Sequence, residues 1–460
     1  MTPEPTWAVP PDSPAAFALE WGRSRRQAVP RRSHAGWTPS PDRADPVAIL
    51  SASNENRLQE LVPIRIGRML ASPFNFFRGA ASIMAADLAT TPQMGSRVQL
   101  CGDAHLSNFG VFASPERRLV FDLNDFDETY PGPWEWDVKR LAASFVVASR
   151  ENGYPEATAR DMARLVAWEY RRWIRRYAGM RALMVWYAAI PIESILARVE
   201  QARDRADIAI DIEEARSRDH MRSLGKLSIQ APGGGWLIRD RPPLLQRLPD
   251  DDPGRAVVPI LYAAYLRSLA PDRRVLVEKH RLLDVALKVV GVGSVGTRCY
   301  IALFAGPAGG PLVLQVKEAG ESVLAPHIRG RRPRHQGERV VNGQRVMQAV
   351  SDSFLGWTKS PVSGTEYYVR QLHDMKYSIE TGGLRPTGMR LYAEVCAWAL
   401  ARAHARSGNP AEIAGYLGQS DVFDQAIAAF SVSYADQNEQ DHAALVSAVR
   451  GGRLAAERGV

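Results

Sequence analysis

The chain has 460 residues, room for two or three units each with its own core, and 45% of them are hydrophobic, the share of an ordinary globular protein rather than a disordered or membrane one. Its three cysteines, Cys101, Cys299 and Cys396, are too few and too scattered for a disulfide framework or a zinc spacing. The net charge of +8 raises nucleic acid as a partner, but the arginines are spread along the chain. Their one local cluster, Arg329, Arg331, Arg332 and Arg334, has no nucleic-acid-binding motif beside it, so no such partner is expected.

Residues 1–48 are rich in Pro and Arg with little periodicity and predict an extended N-terminal arm. No apolar run reaches the ~18 residues of a spanning helix, and the first residues lack a secretion signal, so a cytoplasmic chain with no membrane partner is expected. Residues 54–89 turn helical, interrupted at Pro63 and at Ser72-Pro73. Short strands follow at 98–101, 109–113 and 119–123, the last two forming a hairpin around the turn 114–117. The spacing predicts a long helix over 156–180, with Trp168, Tyr170, Trp173 and Tyr177 as core positions, and more helix over 190–225. Residues 231–255 read as an irregular connector and 260–269 as helix. Strands are expected at 284–290, 297–304 and 312–317, a helix carrying Glu338 at 337–350, and strands at 354–358 and 366–372. Helices close the chain, one with Leu391, Val395 and Trp398 at helical spacing.

Two constellations carry chemistry. The first is Cys101-Gly102-Asp103-Ala104-His105-Leu106-Ser107-Asn108, followed by Asp122-Leu123-Asn124-Asp125-Phe126-Asp127-Glu128. Phosphoryl transfer needs a carboxylate facing the acceptor hydroxyl and oxygen ligands that hold Mg²⁺ against nucleotide phosphates. Asp103 suits the base, Asn108 one metal ligand and Asp125 the other, with Asp127 and Asp122 as rivals. The second is Gly291-Val292-Gly293-Ser294-Val295-Gly296, then Leu314-Gln315-Val316-Lys317. A dinucleotide loop opens a helix, whereas the residues after Gly296 are β-branched and aromatic, which favours strand–loop–strand and a phosphate-pairing Lys317. Glu338 is the expected ion-pair partner of Lys317, with Glu321 and Glu318 as rivals. Residues 366–376 would cross between lobes and offer backbone to an adenine edge.

The Gly-Asp-x-His-x-x-Asn run resembles the catalytic loop of aminoglycoside and choline kinase-like phosphotransferases. Asp137-Val138-Lys139-Arg140-Leu141-Ala142 resembles the helix start that follows their metal-binding Asp, although Cys101 stands where they usually carry His. Leu400-Ala401-Arg402-Ala403-His404 resembles the helix end that precedes their catalytic loop, yet nothing catalytic follows it here. Over nearly the whole chain, the segments 67–74, 76–81, 101–110, 120–129, 131–137 and 288–297 resemble an uncharacterised bacterial family called domain of unknown function 2252. That resemblance supplies no reaction. Arg78, in the Phe-Phe-Arg-Gly segment, is a candidate substrate or phosphate contact, as is His105; Arg78 could instead pair with Asp137 or Glu135.

Because the glycine loop and lysine normally precede the catalytic Asp, the expected fold is α+β, a bilobal protein kinase-like fold that is circularly permuted. Residues 49–275 would form a helical catalytic-loop lobe with connector, 276–376 a β-rich nucleotide-binding lobe, and 377–460 helices completing the helical lobe. The expected activity is ATP- and Mg-dependent phosphorylation of a small molecule or peptide. The site would comprise Asp103, Asn108, Asp125, Asp127, Lys317 and Glu338, with Gly291, Gly293, Ser294 and Gly296 around the phosphates. Nucleotidyl (AMP) transfer in the same cleft, or a non-catalytic nucleotide-binding module, are the alternatives.

Overall fold

The computed structural model describes residues 9, 12–199, 212, 225, 227–230, 235–249, 251–307, 310–372 and 377–459. Most of the expected helix over 190–225, part of the connector 231–255 and positions 373–376 of the crossover lie outside them. Among the described residues no helix is long and apolar enough to cross a membrane.

A recurring signature starts the helices: a capping side chain followed by proline at the first position. Ser13, Asp45, Ser72 and Asn409 each accept a backbone N–H at the starts of helices Pro14–Ala28, Pro46–Asn54, Pro73–Gly79 and Pro410–Leu417. Helix Trp134–Glu151 runs through the middle of the helical part and is buried from Trp134 to Ser149. Helices Glu156–Ala178, Pro386–Ser407 and Val422–Arg450 surround it and share one hydrophobic core. In that core Tyr170, Trp173 and Tyr177 are buried as expected, whereas Trp168 is exposed.

The strands are β1 (Arg97–Leu100), β2 (Phe109–Ala113), β3 (Leu119–Leu123), β4 (Tyr130–Pro133), β5 (Ser228–Gln230), β6 (Trp236–Ile238), β7 (Leu245–Arg247), β8 (Arg281–Lys288), β9 (Cys299–Ala305), β10 (Pro311–Glu318), β11 (Gly356–Lys359) and β12 (Glu366–Gln371). Six make one antiparallel sheet in the order β11-β12-β10-β9-β8-β7. Helix Gln336–Met347 follows β10 and packs on β11, β12 and helix Pro386–Ser407. β2 and β3 form the expected hairpin, and β1 pairs with β4.

Two boundaries differ from the expectation. Within the described part of residues 1–48 the chain is not extended throughout: helix Pro14–Ala28 lies against helix Pro410–Leu417. A Cβ on Gly22 would stand 2.0 Å from the Glu412 carbonyl oxygen, and one on Gly415 2.1 Å from that of Leu19, so two glycines let the backbones touch. The segment 231–255 is no mere connector either. β7 joins the sheet, and helix Pro253–Ser268 packs on β11 with Tyr265 Oη donating to the Phe354 carbonyl at 2.7 Å. Apolar burial with β8–β10 therefore starts the sheet part before residue 276.

Candidate functional site

A cavity of about 790 Å³ lies between the sheet and the helical part. Asp103, His105, Asn108, Asp125 and Asp127 line it from the helical side. Gly291, Gly293, Ser294 and Lys317 face them from the sheet, and Arg78 lines it from helix Pro73–Gly79. Residues from two stretches almost two hundred positions apart thus share one space.

The loop after β1 is held from beneath. Gly102 has φ +87°, and a Cβ there would stand 2.2 Å from the Glu128 carbonyl oxygen, so both conformation and contact require glycine. The backbone N–H groups of Cys101 and Gly102 donate to the Asp137 carboxylate at 2.7 and 3.0 Å. Asp137 sits in the first turn of helix Trp134–Glu151, where the helix dipole favours an anion. His404 Nε2 stands 3.2 Å from the same carboxylate and its Nδ1 2.8 Å from Tyr170 Oη. Asn108 donates its amide N–H to the Asp103 carbonyl at 2.7 Å, which leaves its amide oxygen as the remaining polar atom to offer. The Cys101 thiol is buried, and burial first, then Asp137, pushes its pKa up; it is no thiolate nucleophile.

Asp103 pairs through Oδ1 with the Arg140 guanidinium, whose Nε lies at 2.5 Å. The other oxygen, Oδ2, stands 3.7 Å from His105 Nε2. Burial raises the Asp103 pKa and Arg140 opposes the rise. Burial, then Arg140 and Arg78, keep His105 well below its ordinary value, hence neutral.

The three rival carboxylates separate cleanly. Asp122 turns away from the cavity to Arg402 at 2.5 Å and to the Ala349 N–H at 3.2 Å. Asp127 takes the Lys317 ammonium, the Tyr368 hydroxyl at 2.7 Å and the Ser294 hydroxyl at 3.2 Å. Asp125 Oδ2 is 4.0 Å from Lys317 Nζ. Burial and the Asp127 charge raise the Asp125 pKa; for Asp127 burial acts upward too, but Lys317 and Tyr368 hold it below its usual value.

Residues 291–296 link β8 to β9, as strand–loop–strand requires. The loop is tied down: Arg68 donates to the Val290 carbonyl and Arg57 to that of Val295, both at 2.6 Å, and Val292 packs in a small core with Phe76 and Leu70. Gly296 turns out of the cavity, its carbonyl accepting the Leu58 N–H at 2.7 Å. Beyond β12 the chain returns at Tyr377, which exchanges backbone hydrogen bonds with Val111 at 2.9 Å.

Glu338 does not meet Lys317. The lysine's carboxylates are Asp127 and Asp125, while Glu318 pairs with Arg298 and Glu321 with Arg332. The next residue on the helix, Arg339, instead ties down the backbone that carries Asp127, donating to the carbonyls of Asp127 at 2.9 Å and Thr129 at 2.6 Å. Arg78 pairs with neither Asp137 nor Glu135; it reaches only Asn75 Oδ1, at 3.3 Å.

Sequence reasoning missed Arg140, Arg339, Tyr368 and Arg370. For the last two a signal existed: they alternate on β12, opposite Lys317 and Gln315 on β10, so the pleat puts all four on one face. Arg370 Nε donates to Gln315 Oε1 at 2.8 Å across that register.

No curated protein and no solved structure matches the chain. A family model described as "Uncharacterized protein conserved in bacteria (DUF2252)" matches residues 57–448, well over half of its length. The chain belongs to that bacterial family.

Proposed function

We propose that this cavity performs ATP- and Mg²⁺-dependent phosphoryl transfer, in a bilobal kinase-like fold whose halves are circularly exchanged. One observation carries the reading: Lys317, next to the glycine-loop strands, reaches Asp127 and Asp125 beside the loop that bears Asp103 and Asn108. β8, a glycine loop, β9, and a lysine on the next antiparallel strand followed by a helix match the nucleotide half of a kinase. A second observation supports the exchange of halves. The end of helix Pro386–Ser407 abuts the strand that leads into the Asp103 loop, with Ser407 Oγ accepting the Gln99 N–H at 3.1 Å.

Among the described residues no three His, Cys, Asp or Glu side chains form a ready-made metal cage. A Mg²⁺ that arrives with phosphates needs only one or two carboxylates from the protein. Asp125 and Asp127, whose charges oppose each other in the cavity, fit that demand, with Asn108 as a further oxygen donor. The ion, when bound, neutralises phosphate oxygens and orients them. The residues do the rest: Lys317 holds phosphates, Arg140 fixes Asp103, and Asp103 Oδ2 takes the acceptor proton. Asp103→Asn should keep Mg·ATP affinity and lose roughly 10²–10⁴-fold in transfer, whereas Asp125→Asn should weaken metal-dependent binding as well. Calorimetry beside an ATP-hydrolysis assay reads both. A melting shift with NAD(H) and none with Mg·ATP would replace this reading by a dinucleotide site.

A further inference from the structure

Buried arginines in this protein generally face an acid. Arg43 has Asp87 and Asp441, Arg171 has Asp424, Arg402 has Asp122, and Arg140 has Asp103. Three that line the cavity, Arg57, Arg65 and Arg78, make no ion pair; a fourth, Arg370, makes none either but lies in the field of Asp125 and Asp127. Arg65, 2% exposed, donates to Asn54 Oδ1 at 2.7 Å and the Gly79 carbonyl at 2.8 Å, and its Nε has no partner. Arg57 donates to the carbonyls of Ser53 at 3.2 Å and Val295 at 2.6 Å. Arg78 has only Asn75, and its buried Nε is also unpartnered. Every acceptor in these bonds is neutral. Burial lowers the pKa of all three, and Arg57 adds its own repulsion at Arg65. Asp103 and Glu151 at Arg78, and Glu128, Asp127 and Glu318 at Arg57, act the other way without overcoming burial.

A cluster of desolvated guanidinium groups whose hydrogen-bond partners are all neutral is costly unless a ligand supplies a directly paired charge. The place of the cluster says which ligand. Asp103 and His105 both feel the Arg78 charge, and the Arg78 carbonyl lies 3.5 Å from where a Cβ on Gly293 would stand. Arg78 therefore lies between the glycine-loop tip and the base. A guanidinium fork matches phosphate or carboxylate oxygens in pairs.

We propose that the acceptor is an anionic small molecule whose phosphate or carboxylate group is held by Arg78, backed by Arg57 and Arg65, so that a neighbouring hydroxyl meets Asp103. The inference rests on the phosphotransfer reading. In the step it implies, the acceptor hydroxyl oxygen bonds to the γ-phosphorus of ATP and its proton passes to Asp103. The bond from that phosphorus to the β–γ bridging oxygen breaks, and ADP leaves with the electron pair.

The test titrates the full chain with inorganic phosphate, with and without saturating Mg²⁺ and a non-hydrolysable ATP analogue. Phosphate should bind in both conditions. Arg78→Gln should weaken it roughly tenfold or more, the scale of lost charge-assisted hydrogen bonds, and Arg78→Lys by less, while analogue affinity stays. Melting curves show that both variants fold. Displacement of phosphate by the analogue would overturn the proposal, because the arginines would then serve the nucleotide. Unchanged phosphate affinity in Arg78→Gln would overturn it as well. Arg78-dependent phosphate binding in a protein that ignores the analogue would leave the anion site standing and remove only the nucleotide reading.

Discussion

Replacing Lys317 with methionine keeps the apolar stem and removes the charge between two carboxylates. Lys317 is 3% exposed, while the side chains of Asp125 and Asp127 are 33% and 26% exposed to the cavity. Unit charges 4 Å apart interact by about 4 kcal/mol at an effective dielectric of about 20, and breaking a fully buried pair costs about 3–5 kcal/mol. Cavity water screens these carboxylates, so a loss of about 2–3 kcal/mol is expected near pH 8. In the parent, Lys317 titrates above its unfolded value and Asp127 below its own. The contribution is therefore complete from somewhat above pH 4 to beyond pH 10. In Lys317→Met both carboxyls rise, so the deficit should shrink as pH falls from 8 to 5. Millimolar Mg²⁺ should restore part of the deficit at pH 8. Denaturant unfolding of parent and variant at both pH values measures it. A deficit equal at pH 5 and 8 and indifferent to Mg²⁺ would mean that Lys317 acts by packing, and the electrostatic account would fail.

Asp137→Asn removes the charge that receives the Cys101 and Gly102 N–H groups and should cost about 1–3 kcal/mol, with hydrogen exchange faster at those two amides. Gly415→Ala drives a methyl into the Leu19 carbonyl; it should cost about 1–3 kcal/mol and expose helix Pro14–Ala28 to limited proteolysis before the rest. Glu135 is raised to about 7 and Lys139 lowered to about 7, chiefly by burial; each feels the other's charge, but no ion pair joins them, and Glu135 Oε2 and Lys139 Nζ have no hydrogen-bond partner. The double change Glu135→Gln with Lys139→Met should be neutral or stabilising by about 1–4 kcal/mol, and less so toward pH 5, where the parent glutamate is protonated; chemical unfolding reads the outcome.

The local elements were legible where side-chain period and turn chemistry agreed. The hairpin 109–123 carries β-prone runs around Ser114-Pro115, and the strands after residue 280 are bounded by glycine and proline. Helix Pro14–Ala28 was not legible, because its partner lies four hundred residues away and its arginines hide an apolar face. β7 was hidden likewise: three residues make a strand only because β8 offers a free edge. Within the site, residue types at fixed spacing exposed Asp103, Asn108, Asp125 and Lys317. Glu338 misled because helix phase decides which of two adjacent charges faces inward, and phase is set by packing. Arg140, Arg65 and Arg57 carry no spacing that marks them; their role follows from which of them meets an acid.

The support beneath the Asp103 loop has a bearing on how the chain is made. His404 and Ser407 belong to a helix synthesised about three hundred residues after the strand and loop they hold. At 5–20 residues per second, roughly 15–60 s separate the emergence of helix Trp134–Glu151 from that of its last covering helix, Val422–Arg450. For that interval this helix, buried from Trp134 to Ser149 in the finished fold, waits without part of its cover. The sheet, whose strands from β7 to β12 are neighbours in sequence, can close first. A ribosome-stalled chain ending near residue 380 should therefore hold a protease-resistant sheet beside a protease-sensitive helical half, and the Asp103 loop would be among the last parts of the molecule to acquire its shape.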